Sequence, residues 1–184
     1  SDRWVPLACL TLLAPWHDHP RLAETYQQQQ KHLRDVLKNP RPVGYNQSTP
    51  ADIDSSLWLR RCLAIHGRSS SLSLDAYLES GWRPETGITT YPEVGPISAY
   101  IQRPDNEMKG WSTFHDCVLA NLASDTQLPN AIQALSMLRQ RLKNKEFASF
   151  WWPLDGLMLS LLPRGSIARS DVERVSHQNL APAV

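Results

Sequence analysis

Apolar positions recur every three or four residues along this chain, punctuated by proline and glycine, and that rhythm is helical. Over 6–14 the leucines Leu7, Leu10 and Leu13 share one side, and Pro15 closes the segment. Asp18 and Pro20 open a polar helix over 21–38, with Leu22, Tyr26, Leu33, Val36 and Leu37 as a narrow stripe interrupted by Gln27 to Gln30. Asn39-Pro40-Arg41-Pro42 stops it, because a residue before proline is pushed out of helical geometry. Thr49-Pro50-Ala51-Asp52 predicts a strong start, with Thr49 as cap, Pro50 in the first turn and Asp52 as capping-box partner. That helix runs to His66, and Gly67 ends it. Its apolar residues Ile53, Leu57, Trp58, Leu59, Cys62, Leu63 and Ile65 cover more than one stripe, which predicts a central position.

The second half continues the pattern with one interruption. A short helix is expected over 73–80, ended by Gly81, then an irregular Pro/Gly-rich segment over 82–111. Within it, Ile88 to Tyr91 has strand-like composition and predicts a small hairpin at most, and 96–102 a helical turn. Ser112 or Thr113 caps a helix whose inner face is Phe114, Cys117, Val118 and Leu122. Pro129 opens another, reaching Lys145, with Ile132, Leu135, Leu138 and Leu142 turned inward. The apolar stretch 146–165 holds Phe147, Phe150, Trp151 and Trp152 and is divided by Pro153 and Asp155-Gly156 into two amphipathic pieces. It reads as the last layer of the core, with Trp151 and Trp152 left facing a partner beside the turn. A final capped helix starts at Ser170. The pattern predicts an all-α fold, a single bundle of about seven to nine helices forming one domain over 1–184.

Composition narrows the class. The chain has 184 residues, 41% apolar and 20% charged, with net charge +1, seven Trp and 14 Pro. Near-neutral charge argues against a polyanionic partner as the main ligand. Basic residues gather at Lys31, Arg34, Lys38 and Arg41, where a solvated helix face is the expectation. Three dispersed cysteines, Cys9, Cys62 and Cys117, supply no disulfide framework and suit a reducing, cytoplasmic location. The apolar segment 4–16 has the flavour of a leader, and Leu7-Ala8-Cys9 faintly resembles a lipoprotein cleavage site. It contains Pro6, its apolar run follows the cysteine, and it is too short to span a bilayer, so a buried first helix is expected and no membrane span.

Candidate chemistry is sparse. No glycine-rich phosphate loop is present among the eight glycines. Cys62 and His66 stand four apart on one helix face and, with His115 and Cys117, would make a zinc-type donor set, although His115 and Cys117 diverge if helical. His17-Asp18-His19 puts two imidazoles and a carboxylate in a turn, where a helix cap is the simpler role. Cys117 in the first turns of its helix, with His66 as base, would suit a cysteine-dependent hydrolase. Asp52 and Asp54 read as helix punctuation rather than as an acid–base pair. Arg139, Arg141, Lys143 and Lys145 precede aromatic residues, a pattern that single-stranded nucleic acid binders use. Trp82, Arg83 and Trp111 stand beside turns, and Trp and Arg are favoured interface anchors. The expectation is a non-enzymatic protein-binding or adaptor domain, using Trp82, Arg83, Trp111, Trp151 and Trp152, with no cofactor or metal.

Overall fold

The computed structural model describes residues 2–147, 159, 161–168 and 170. Among them the chain is mostly helical, with nine α-helices and one two-stranded hairpin. It divides into two compact units, one made of Ser1–Gly81 with Thr90–Ser112, the other of Trp82–Thr89 with the chain from Thr113 onward.

The first unit is built around α4 (Ile53–Ile65), which α1 (Trp4–Leu13) and α5 (Leu72–Ser80) pack against; α2 (Ala23–His32) packs on α1. The centrality expected of α4 is observed: Ile53, Leu57, Trp58, Leu59 and Cys62 are all fully buried, whereas Ile65 at its end is exposed. Pro15 does end α1, through a 3-10 turn over Ala14–Trp16. The expected single helix over 21–38 is two helices, α2 and α3 (Arg34–Lys38), because the backbone breaks at Leu33. Leu33 and Tyr26 are buried there, so the apolar stripe is satisfied in two pieces. Ser71 caps α5 through its hydroxyl, which accepts from the Leu74 N–H at 3.2 Å, and Gly81 closes it. The remainder of this unit comprises α6 (Val94–Ile101) and α7 (Lys109–Ser112), where Tyr91, Ile97 and Met108 form a small core with Trp111 packed against it.

The second unit pairs α8 (Asp116–Ala123) with α9 (Ala131–Asn144), and α8 also meets strand β2 (Gly87–Ile88), which pairs antiparallel with β1 (Trp82–Arg83). Gly87 has φ +107, a left-handed geometry that a side chain resists, and a Cβ there would press on Leu119. The inward face of α9 differs from expectation. Ala131, Ala134, Leu138 and Leu142 are buried, while Ile132 is 80% exposed. The core-facing set is spaced at 3, 4 and 4 residues from Ala131, one step round the helix from Ile132, so small alanines take the inner positions. The stretch 148–158, with Phe150, Trp151 and Trp152, and the helix expected from Ser170 lie outside the described residues apart from isolated positions. Among the described residues no helix is long and apolar enough to cross a membrane.

Arg141 joins the second unit internally. Its guanidinium meets Asp116 Oδ1 at 3.2 Å, lies 4.0 Å over the Phe114 ring and donates to the Thr86 carbonyl at 3.2 Å. Asp116 is only 3% exposed, so removing Arg141 takes a charge partner from a buried carboxylate. Arg141→Ala is expected to lower unfolding free energy by about 3 kcal/mol, measured by urea denaturation; a loss no larger than that of an exposed neighbour such as Arg139→Ala contradicts this.

A buried acid pair as the candidate active site

The start of α4 is unusual because it is buried. Asp52 is the N-cap, with extended backbone at φ −131 and ψ 155. Its Oδ1 accepts from the Ser55 N–H at 2.7 Å and its Oδ2 from the Ser55 hydroxyl at 2.8 Å. The helix therefore begins three residues later than the Thr49–Pro50 signal predicts. Thr49 instead closes a turn, its hydroxyl accepting from the Asn46 N–H at 3.0 Å.

Three distant segments close over this helix end. Asp52 N–H donates to the Val43 carbonyl at 3.0 Å, and Ile53 N–H to the Thr90 carbonyl at 2.8 Å. Ser56 and Val43 bond twice: the Val43 N–H donates to the Ser56 hydroxyl, which donates to the Val43 carbonyl. Tyr77 donates its hydroxyl to the Ala51 carbonyl at 2.6 Å. Gly44 makes the approach possible, since a Cβ there would collide with the Pro50 carbonyl and Thr49. The result leaves Asp52 and Asp54 each only 4% exposed.

Two carboxyls two residues apart in a sealed site cannot both ionise cheaply. Burial, opposed by the Ser55 donors and reinforced by the neighbouring Asp54, pushes Asp52 from 3.8 up to about 7. A helix N-terminus and hydrogen-bond donors ordinarily hold such a cap ionised; here desolvation outweighs them. Asp52 therefore keeps its proton toward the neutral range.

The surroundings are aromatic. Asp54 Oδ2 accepts from the Trp4 indole N–H at 2.8 Å. Trp4 stands edge-to-face with Trp58, centroids 6.3 Å apart, and tilted on Tyr45 at 6.2 Å. The Tyr77 and Tyr91 hydroxyls are both pushed well above the ordinary phenol range, first by burial and then by the charge of Asp52. Tyr91 in turn tilts against Trp111 at 6.2 Å. An acid that retains its proton among electron-rich ring faces can protonate a weak base and stabilise the cation that results.

The residues singled out from sequence lie elsewhere. Trp111 is half-buried on the Tyr91 core rather than displayed beside a turn, and Trp82 is half-buried in β1 beside exposed Arg83. Cys62 and His66 do meet, Sγ to Nδ1 at 3.8 Å, but burial pushes the Cys62 thiol up to about 12, so it stays protonated. His66 Nδ1 bonds the Cys62 carbonyl at 2.7 Å, and its Nε2 meets Gln30 at 2.9 Å and the Tyr26 hydroxyl at 3.0 Å. His115 caps α8 by position and Cys117 is fully buried within it. Among the described residues no three His, Cys, Asp or Glu side chains group to hold a metal. Arg139 bonds the Ser166 carbonyl, Arg141 is internal, and Lys143 and Lys145 are exposed at the end of α9. Lys31, Arg34 and Lys38 line, with His66 and Arg68, a polar cleft of about 390 Å³; another, of about 440 Å³, is lined by Asp2, Arg3, His32 and Asp35 among others.

No protein-family model matches the chain, and no curated protein does. Solved structures do. An arginine-to-alanine variant of the type II terpene cyclase MstE from Scytonema, holding its substrate geranylgeranyl dihydroxybenzoate, is 26% identical with a TM-score of 0.64, over 86% of this chain and 46% of that one. The apo cyclase is 24% identical with a TM-score of 0.66, over 94% of this chain and 53% of that one. An aspartate-to-alanine variant, holding the product merosterolic acid A, is 25% identical with a TM-score of 0.64, over 86% and 47%. The chain spans about half the length of these structures. This likeness overturns the expectation of a non-enzymatic adaptor, and with it the cysteine hydrolase centred on Cys117 and the nucleic-acid subunit using 139–152: over most of its length the chain is similar in fold to part of a type II terpene cyclase.

Linkage gives the acid pair a signature in stability. A carboxyl raised from 3.8 to about 7 on folding makes the native state bind more protons than the unfolded chain between those values. Stability is therefore fullest at the acidic end of that window and is lost as pH rises through it, by up to about 4 kcal/mol. Asp52→Asn keeps an oxygen acceptor for the Ser55 N–H and removes one buried charge. Urea unfolding at pH 5 and pH 8 is expected to show the wild type losing stability at pH 8 and the variant losing much less; equal losses contradict the raised acid.

Proposed function

We propose that this chain belongs to a protonation-initiated polyprenyl cyclase, with the Asp52–Asp54 pair as the acid. The observation that carries the reading is a carboxyl, Asp52, that retains its proton, buried beside a second carboxyl in an aromatic setting, in a fold similar to part of a type II terpene cyclase. The substrate of that neighbour, geranylgeranyl dihydroxybenzoate, has by its name a polyene chain and no diphosphate to ionise. A carbocation on such a chain starts when an acid O–H adds its proton to an alkene carbon. Successive alkenes then close carbon–carbon bonds onto the cation, and loss of a proton to a base ends the sequence. Atoms balance with no cofactor, since product and substrate are isomers.

Each element of the site has a part in that chemistry. The like charge of the neighbouring carboxylate and the exclusion of water keep the proton in place until it is transferred. Donors from Ser55 and Trp4 stabilise the negative charge that remains on the pair afterwards. Ring faces of Trp4, Tyr77, Tyr91 and Trp111 suit a migrating cation, which attracts each desolvated aromatic by about 2 kcal/mol. The raised phenols remain neutral, so they do not intercept the cation as phenolates.

The test uses geranylgeranyl dihydroxybenzoate as probe, followed by mass spectrometry for a cyclised product of unchanged mass. Wild-type turnover is expected, and Asp54→Asn is expected to lower kcat by roughly 100- to 10 000-fold. Infrared difference spectra against Asp52→Asn should show a protonated carboxyl near neutral pH. Full activity in Asp52→Asn and Asp54→Asn alike, or a pair fully ionised at pH 6, overturns the reading.

A further inference from the structure

We infer that the basic cleft beside the far end of α4 is a binding site for a small molecule bearing a diphosphate, separate from the Asp52 site. Four cations converge on it: Lys31, Arg34 and Lys38 from α2 and α3, and Arg68 from the turn after α4. Its volume is about 390 Å³, within the roughly 300–1,000 Å³ common for small-ligand sites. Asp52 caps one end of α4 and His66, which lines the cleft, stands at the other. A helix of 13 residues, rising about 1.5 Å at each, puts the two sites about 20 Å apart. The solvated face expected over Lys31, Arg34, Lys38 and Arg41 is thus divided: Arg41 lines the neighbouring cleft, and Arg68 takes its place here.

These cations lack counter-ions. Elsewhere arginines find carboxylates: Arg60 meets Asp75, Arg103 meets Glu107 and Arg141 meets Asp116. Among the described residues no carboxylate pairs with Lys31, Arg34, Lys38 or Arg68, and none lines the cleft. Asp35 stands among them in sequence but lines the neighbouring cleft, and Glu24 accepts from Gln28. Helix dipoles favour Lys31 and Lys38, which lie in the last turns of α2 and α3. They offer nothing to Arg34, the first residue of α3. Like charges gathered without an anion repel one another, and a bound polyanion removes that repulsion.

The cleft also has a fixed element beneath its charged rim. His66 is half-buried while the four cations are exposed. Its Nδ1 bonds the Cys62 carbonyl at 2.7 Å, its Nε2 meets Gln30 at 2.9 Å, and its ring stacks on Tyr26 with centroids 6.1 Å apart. Arg68 is anchored by one N–H, given to the Leu37 carbonyl at 3.2 Å, which leaves the rest of its planar fork of donors for a ligand. Two guanidiniums and two ammoniums match a diphosphate, whose oxygens take forked arginine bonds and lysine point charges. A single carboxylate would leave several of them unmet.

Inorganic pyrophosphate, with EDTA present, is the probe, and calorimetry on the whole chain is the measurement. One-to-one binding is expected at about 0.15 M salt, where long-range attraction is screened. The Lys31 and Arg34 side chains are exposed and unpaired among the described residues, so their loss spares the fold. Lys31→Ala and Arg34→Ala are each expected to weaken binding roughly 10- to 100-fold, the size of a lost charge-assisted hydrogen bond. Lys31→Glu combined with Arg34→Glu is expected to abolish it. Lys143→Glu, at the exposed end of α9, and Asp52→Asn should leave it within about twofold, as for distant sites. Geranyl diphosphate and adenosine diphosphate tell the sources apart: equal affinity for both assigns recognition to the phosphates alone, and tighter binding of one identifies the attached group. No binding of pyrophosphate, binding that survives the double charge reversal, or binding of dihydroxybenzoate as tight as that of pyrophosphate overturns the inference.

Discussion

Burial of the first turn of α4 is the constraint on which the first unit is organised. A helix N-terminus presents backbone N–H groups with no helical partner, and most proteins leave that end in water. Here the end is buried, and protein meets the N–H groups of Asp52, Ile53 and Ser55. Asp52 caps, Val43 accepts from Asp52, Thr90 accepts from Ile53, and Ser56 closes a two-bond clasp with Val43. Those partners come from segments far apart in the sequence. The position of residues 43–45 and of the stretch after β2 follows from satisfying one helix end.

That arrangement sets two electrostatic effects against each other. Donors and the helix dipole favour a charged Asp52, by about 1 kcal/mol for a cap. Desolvation and the second carboxyl disfavour it by several kcal/mol. The balance falls on the side of retained protonation, which an exposed cap of identical sequence would not show. The cost in stability at neutral pH is of the kind that active sites impose on their folds.

Helix boundaries were largely legible in the chain because their signals are local. Gly81 closes α5, Pro15 ends α1, and the apolar breadth of residues 53–63 announced a central helix. Where inference failed, the deciding contact was remote. Ile132 satisfies the helical spacing as well as Ala131 does, and only the packing of α9 on α8 selects the alanines. Arg141 sits in a basic run like its neighbours, yet Asp116 and Phe114 draw it inward. The candidate site failed to show for the same reason. Asp52-Ile53-Asp54 at a helix start is ordinary capping when exposed, and nothing within ten residues reveals that Thr90, Tyr77 and Trp4 will cover it.

The tryptophans illustrate how that distinction alters a functional reading. An excess of Trp beside turns fits a docking surface, since the ring offers large contact area with one polar handle. Trp4 spends its handle on Asp54, Trp58 is entirely interior, and Trp111 lies on Tyr91. The ring property that suits an interface, an electron-rich face on an apolar body, is also what a carbocation needs from the wall of its site. Composition cannot separate the two uses, because both call for the same residue. The separating feature is what the N–H and the ring face meet, and in this unit they meet a buried carboxyl and other rings.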